Sequence, residues 1–232
     1  MKTVCSGNNR MWNSTDIAGI GMTSQRTRNR MVARLRDQGI ENESVLSTMS
    51  VVPRHLFVDE AMATRAYEDA SLPLGEGQTI SQPIIVARMT EILLSIDGMN
   101  RVLEVGTGSG YQAAVLSRLV DSVYSVERIR SLLLKSRDRF KALGYNNIIT
   151  RHSDGSWGWP GQGPYNGILV TAAPSSIPDT LLDQLAINGV LVCPVGKQSG
   201  HQVLTVVHRT ALGFHTEYLD AVKFVPFLSG KM

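Results

Sequence analysis

The sequence predicts a doubly wound α/β domain of about seven strands. A closing antiparallel strand ends it, and N-terminal helices cover one edge of the sheet. Three observations carry this expectation. An apolar run (Val102, Leu103, Val105) stops at Gly106-Thr107-Gly108-Ser109-Gly110, and a helical pattern then runs from Tyr111 to Leu119. Strand, glycine-rich turn and helix in that order open a parallel sheet whose ligands sit at the turn. Further strand-like runs (122–126, 147–151, 165–171, 190–194) alternate with helical stretches (129–143, 177–185), as βαβ units require. Finally, 232 residues suffice for one α/β domain with a full core.

In chain order, residues 1–24 are polar and rich in Gly, Ser and Asn, and are expected to form a disordered extension; Met22 offers an alternative start. One domain is expected over 25–232, divided into N-terminal helices and a functional loop (25–95) and the ligand-binding sheet with its closing strands (96–232). Helices are predicted over 25–38, ended by Gly39, over 42–49, stopped by Pro53, and within 54–67. The stretch Leu72 to Pro83 is rich in turn residues, yet Leu72, Leu74 and Ile80 anchor it. Such a loop is a usual carrier of functional residues. Pro83 suits a first helical turn, capped by Ser81 or Gln82. Gln202 to His208 and His215 to Val225 read as the closing antiparallel pair around Gly213.

Composition excludes several classes. Hydrophobic residues make up 43% and no apolar run approaches the ~18 residues of a membrane span. Net charge is +3, and the one basic cluster (Arg26, Arg28, Arg30, Arg34, Arg36) has no interleaved aromatics, so a solvated helix face is expected rather than a nucleic-acid patch. Cys5 and Cys193 make neither a disulfide framework nor a zinc spacing, and the five histidines show no metal-binding pattern, so no metal is expected. Without a signal-peptide pattern, the cytoplasm is the expected compartment.

The glycine spacing narrows the ligand. A dinucleotide turn wants G-x-G-x-x-G, but Tyr111 stands where the third glycine belongs, and Glu104 would repel a pyrophosphate. A cationic nucleoside suits Glu104 better. Glu127 lies 21 positions after Gly106, near the ~20 expected of a carboxylate that takes ribose hydroxyls. Asp154, before Gly155 at a strand end, is equally an adenine acceptor or a turn aspartate. Glu104-x-Gly106-x-Gly108-x-Gly110 resembles the first motif of the class I S-adenosylmethionine methyltransferases, which have a Rossmann-like sheet.

Several stretches together resemble one family, the protein-L-isoaspartate (D-aspartate) O-methyltransferases. They include Val52-Pro-Arg-His-Leu-Phe-Val-Asp59, Gly77-Gln-Thr-Ile-Ser-Gln-Pro83, Leu103 to Tyr111, Tyr124-Ser-Val-Glu-Arg128, Asp154-Gly155, Ile168 to Pro174, Leu191 to Gly196 and Val222-Lys-Phe-Val-Pro226. The resemblance covers about residues 25 to 228, and the T-I-S-x-P element upstream of the glycine turn is its most specific part. It departs at Asn166, where Asp is commoner, and at Ser153, where Gly is commoner.

The resemblance implies methyl transfer from S-adenosylmethionine to the free α-carboxylate of isoaspartyl, and by the family name D-aspartyl, residues of damaged proteins. The ester then closes to a succinimide. It implies Ser81 as the active-site serine. Thr79, Ile80, Glu104, Gly106, Thr107, Gly108, Ser109, Gly110, Glu127, Arg128, Asp154, Gly155 and Thr171 are expected around the cofactor. Gln78, Ser81, Ala172, Ala173, Val225 and Pro226 are expected around the substrate. A monomer acting on proteins and peptides, away from nucleic acid and membrane, is expected. The alternatives are a class I methyltransferase acting on RNA or a small molecule, a nicotinamide oxidoreductase, which Tyr111 argues against, and a non-catalytic binding module.

Overall fold

A computed structural model describes residues 12–197 and 199–232. The described residues open with α1 (Ser14–Ala18), capped by Asn13, whose side chain accepts from Asp16 N while the Asp16 carboxylate accepts from Asn13 N. A 3-10 turn (Gly21–Thr23) follows. Here the structure differs from the expected disordered extension: the polar residues cap their own turns, and Arg28 and His55 hold the carbonyls of Ile17, Ala18 and Asp16. Residues 1–11, with Cys5, lie outside the described residues.

Helices α2 (Gln25–Asp37) and α3 (Glu43–Val51) bury Met31, Leu35, Val45, Leu46 and Met49. Asn42 caps α3 by accepting from Ser44 N and Val45 N. The third expected helix is instead two 3-10 turns, Arg54–Phe57 and Glu60–Arg65. Arg54, His55 and Phe57 are all buried, so no single stripe faces the core and the α period is not favoured.

The expected loop is an antiparallel hairpin of β1 (Leu72–Gly75) and β2 (Gln78–Ile80), with Leu72 paired to Ile80. Helix α4 (Pro83–Leu93) starts on Pro83 as predicted. Gln82 takes the cap position without a side-chain cap bond, and neither Ser81 nor Gln82 caps through its side chain.

The sheet is built from β3 (Arg101–Val105), β4 (Ser122–Glu127), β5 (Ile148–His152), β6 (Tyr165–Val170), β7 (Leu185–Val195), β8 (Gln202–Thr210) and β9 (Gly213–Val222). Their order is β5-β4-β3-β6-β7-β8-β9. The first five in that order are parallel; β8 and β9 close the sheet antiparallel. Helices α5 (Tyr111–Leu116), α6 (Arg130–Ala142) and α7 (Asp179–Asp183) connect the parallel strands. The α7 segment is shorter than predicted because Pro178 caps it and Leu185 already pairs with Tyr165. The chain lays strands outward from β3 in one direction and then, from β6, in the other. That reversal of order makes the carboxyl ends of β3 and β6 the switch point where ligands of such sheets bind. The β3 side chains are buried apart from the half-buried Arg101, because helices cover this strand on both faces.

Candidate active site

A cavity lies at that switch point. The glycine turn (106–109), Val126 to Arg128, Gly155, Thr171 and Ala172 line one side. Gln78, Thr79, Ile80 and Ser81 of the hairpin face them, and Val225 to Leu228 close the rim. The hairpin reaches across because Leu72, Leu74 and Ile80 are buried, while the Glu76 carboxylate at its tip accepts from Ser131 Oγ at 2.9 Å.

The turn is shaped by backbone that only glycine adopts cheaply. Gly106 has φ +100°, and a Cβ there would lie 2.2 Å from Thr171 Oγ1. Gly110 has φ +88°, and its Cβ would meet the Phe140 ring at 2.6 Å. At Gly108 the space is open: Leu74 Cδ1 is the nearest atom, at 3.9 Å. A ligand can therefore rest directly on the backbone at Gly108.

Glu127 follows β4 into the pocket. One carboxylate oxygen accepts from Gly108 N and the other from Ile129 N, both at 2.8 Å. A carboxylate has about four acceptor positions, so two remain for a pair of vicinal hydroxyls. Thr171 Oγ1 donates to the carbonyls of Val105 and Gly106 and ties β6 to the turn. Ser81 is half-buried at the hairpin exit, and among the described residues its hydroxyl makes no hydrogen bond. Its carbonyl does, accepting from Arg54 Nη2 at 2.7 Å.

Four predicted residues do not line the cavity. Glu104 is fully buried beneath it, where one oxygen accepts from Ser125 Oγ and the other has no hydrogen-bond partner. Burial pushes its carboxyl up to about 8, against the Ser125 bond. Burial thus favours the protonated acid, which weakens the attraction this carboxyl offers a cation. Asp154 also faces away: Oδ1 accepts from Ser156 N and Oγ at 2.8 Å, and Oδ2 from Gly230 N at 2.5 Å. Burial opposes its ionisation, but these donors and Arg128 outweigh burial and hold the carboxyl below its usual range. That is the turn-aspartate geometry, and Gly155 alone of the pair reaches the pocket. Gly110 caps α5, and Ala173 is buried, its backbone bonded to Val225 O and Phe227 N.

Sequence reasoning missed Val86, Val105, Tyr111, Gln112, Val126, Phe227 and Leu228 in the lining. Phe227 and Leu228 continue the matching segment 222–226, which was the available signal. Gln112 sits one residue past the motif, its Nε2 donating to Thr90 Oγ1. Trp157 and Trp159 lie outside the lining; Trp159 packs edge-on to Tyr124 beneath Arg151.

A seven-stranded sheet with this switch-point cavity, a glycine-cleared cradle and an acid at the end of the second parallel strand defines a class I S-adenosylmethionine-dependent methyltransferase. A solved protein-L-isoaspartate O-methyltransferase superposes with TM-score 0.79 at 30% identity, covering 86% of this chain; this chain spans 65% of that one. A second solved structure, described as a putative protein-L-isoaspartate O-methyltransferase from Plasmodium falciparum in complex with S-adenosyl-L-homocysteine, superposes with TM-score 0.77 at 26% identity. It covers 87% of this chain and 98% of its own. Among curated relatives, the protein-L-isoaspartate O-methyltransferase of Halorhodospira halophila is 59% identical over 93% of this chain and 97% of its own. The family profile of protein-L-isoaspartate(D-aspartate) O-methyltransferase matches residues 25–232, and the chain belongs to that family.

Proposed function

We propose that this protein transfers a methyl group from S-adenosylmethionine to the free α-carboxylate of L-isoaspartyl residues in damaged proteins and peptides, and that Ser81 orients that carboxylate. The observation that carries the reading is the free Ser81 hydroxyl and the glycine turn facing one cavity. The lining fits the cofactor. Gly108 leaves room for it and Glu127 keeps two acceptor positions. Among the described residues Arg128 is the one cationic residue in the lining, which is too little charge for a phosphate clamp.

When bound, S-adenosylmethionine supplies an electrophilic methyl on a positively charged sulfur. The rest of the chemistry is positioning. A substrate carboxylate with pKa near ~4 is already ionised at pH 7 and needs no general base, in keeping with a lining that holds no His or Lys among the described residues. Glu127 and the glycine turn hold the nucleoside, and the hairpin holds the acceptor. Ser81 Oγ donates to one carboxylate oxygen and leaves the other free to approach in line. Leu228, Phe227, Val225 and Ile80 exclude water, which favours a step in which opposite charges cancel.

We further assign it to the cytoplasm as a monomer that acts without nucleic acid. In support, part of the basic cluster of α2 is engaged within the chain: Arg28 and Arg34 donate to backbone carbonyls, and Arg36 pairs with Glu43 at the surface. Among the described residues no helix is long and apolar enough to cross a membrane.

Incubation with methyl-labelled S-adenosylmethionine and an isoaspartyl peptide, beside its aspartyl twin, tests the function. Base-labile label on the isoaspartyl peptide alone is expected. Label on neither peptide, or on both equally, refutes the reading.

A further inference from the structure

Arg54 is the largest fully buried side chain of the described residues, and no carboxylate lies at ion-pair distance from it among them. Its Nε donates to Ala66 O and its Nη2 to Ser81 O, each at 2.7 Å. The guanidinium carbon stands 4.8 Å from the centroid of the Tyr111 ring, and Nη1 has no partner. Burial lowers its pKa to about 10, so it stays a cation at neutral pH. A buried, unpaired charge is costly, and an apolar side chain of similar volume would pack there at less expense to stability.

What methionine or leucine could not do is grip two carbonyls with one rigid fork while resting on an aromatic face. The three groups held this way belong to three parts of the chain. Ala66 ends the second 3-10 turn, Ser81 leaves the hairpin, and Tyr111 begins the helix after the glycine turn. Tyr111 itself lines the cavity. Arg54 thus fixes the distance between the hairpin exit and the cofactor cradle.

We propose that Arg54 is a positioning residue for methyl transfer: it sets the Ser81 backbone, and through it the hydroxyl, against the glycine turn. This rests on the Ser81 role given above. Both of its hydrogen bonds end on the hairpin side, at Ala66 and Ser81, and only the face of the Tyr111 ring meets it from the cradle, so Arg54 acts on turnover through Ser81 more than on cofactor affinity.

The test uses R54M and R54K, each alone and combined with S81A. Turnover and KM for an isoaspartyl peptide, the dissociation constant for S-adenosylmethionine, and thermal unfolding are measured for all of them. R54M is expected to lower kcat by about 30-fold or more, the scale of a misplacement near 1 Å, with cofactor affinity changed by less than about 3-fold. R54K keeps the charge but not the fork, and should lose about 5-fold or more in kcat. On the S81A background both substitutions should cost less than about 3-fold further, the coupling expected of residues that act as a unit.

Wild-type kcat in folded R54M overturns the proposal, as does an equal loss with and without Ser81, which marks a merely structural role. If R54M does not fold, R54K decides on the same criteria. If S81A alone turns over normally, the Ser81 role falls and this proposal with it. An impaired S81A beside an unimpaired Arg54 variant overturns this proposal alone.

Discussion

Replacing Glu104 by glutamine separates two accounts of the one carboxyl in the glycine motif. Glu104 is completely buried, and its pKa is raised from 4.5 to about 8, chiefly by desolvation. In the unfolded chain it ionises near pH 4.5; in the folded protein it holds its proton. Folded protein therefore binds more protons than unfolded protein between these two values, and stability falls as pH rises through that window. The full contribution is present below about pH 4.5 and is lost by about pH 8, with a slope of up to about 1.4 kcal/mol per pH unit. The amide of the E104Q variant would keep an acceptor for Ser125 Oγ and does not titrate. The difference in unfolding free energy, variant minus wild type, should then climb with pH by several kcal/mol in total. For a chain of this size each kcal/mol moves Tm by ~2–4 °C. Urea unfolding of the ligand-free protein at intervals between about pH 5 and about pH 8.5 reads the slope directly. Parallel curves for the two proteins would refute the reasoning. They would mean that Glu104 is ionised in the fold and able to attract a sulfonium after all.

Other substitutions separate the roles around the cavity. S81A should lower kcat toward isoaspartyl peptide by about 10- to 100-fold while leaving the cofactor dissociation constant within about 3-fold, as measured by steady-state kinetics and calorimetry. E127A should weaken cofactor binding by about 30-fold or more, since hydrogen bonds to a charged group contribute about 1.5–3 kcal/mol each. Saturating cofactor should then restore most of its turnover. Gly110→Ala places a Cβ 2.6 Å from Phe140 at φ +88° and should cost about 2–4 kcal/mol in urea unfolding; an unchanged midpoint would count against the described turn.

The parallel sheet and its ligand turn were legible because their signals are local. Val102 and Leu103 open a strand that Val105 closes, and Gly106, Gly108 and Gly110 all occupy positive φ. Pro83 opened α4 where its fixed φ predicts. What could not be read was depth. Glu104 pairs with Ser125, two residues before Glu127, so the register sets both acids on one face; Glu104 stands one residue inside β3 and is enclosed, whereas Glu127 ends β4 at the cavity. Asp154 looked undecided because its decisive partner, Gly230, is 76 residues away. The hairpin of Leu72 to Ile80 read as a loop because its strands are only four and three residues long, too short for alternation to be visible. Arg54 was visible only as a letter within a matching stretch, since nothing in the sequence says that an arginine will be completely enclosed.

The cavity has walls from three sources: the hairpin, the carboxyl ends of the parallel strands, and residues 225–228. A molecule seated among them touches all three at once and so rivets together pieces that few covalent neighbours connect. By mass action, whatever fills that place also holds the protein shut. Without that molecule the protein should unfold at a lower temperature and a lower denaturant concentration.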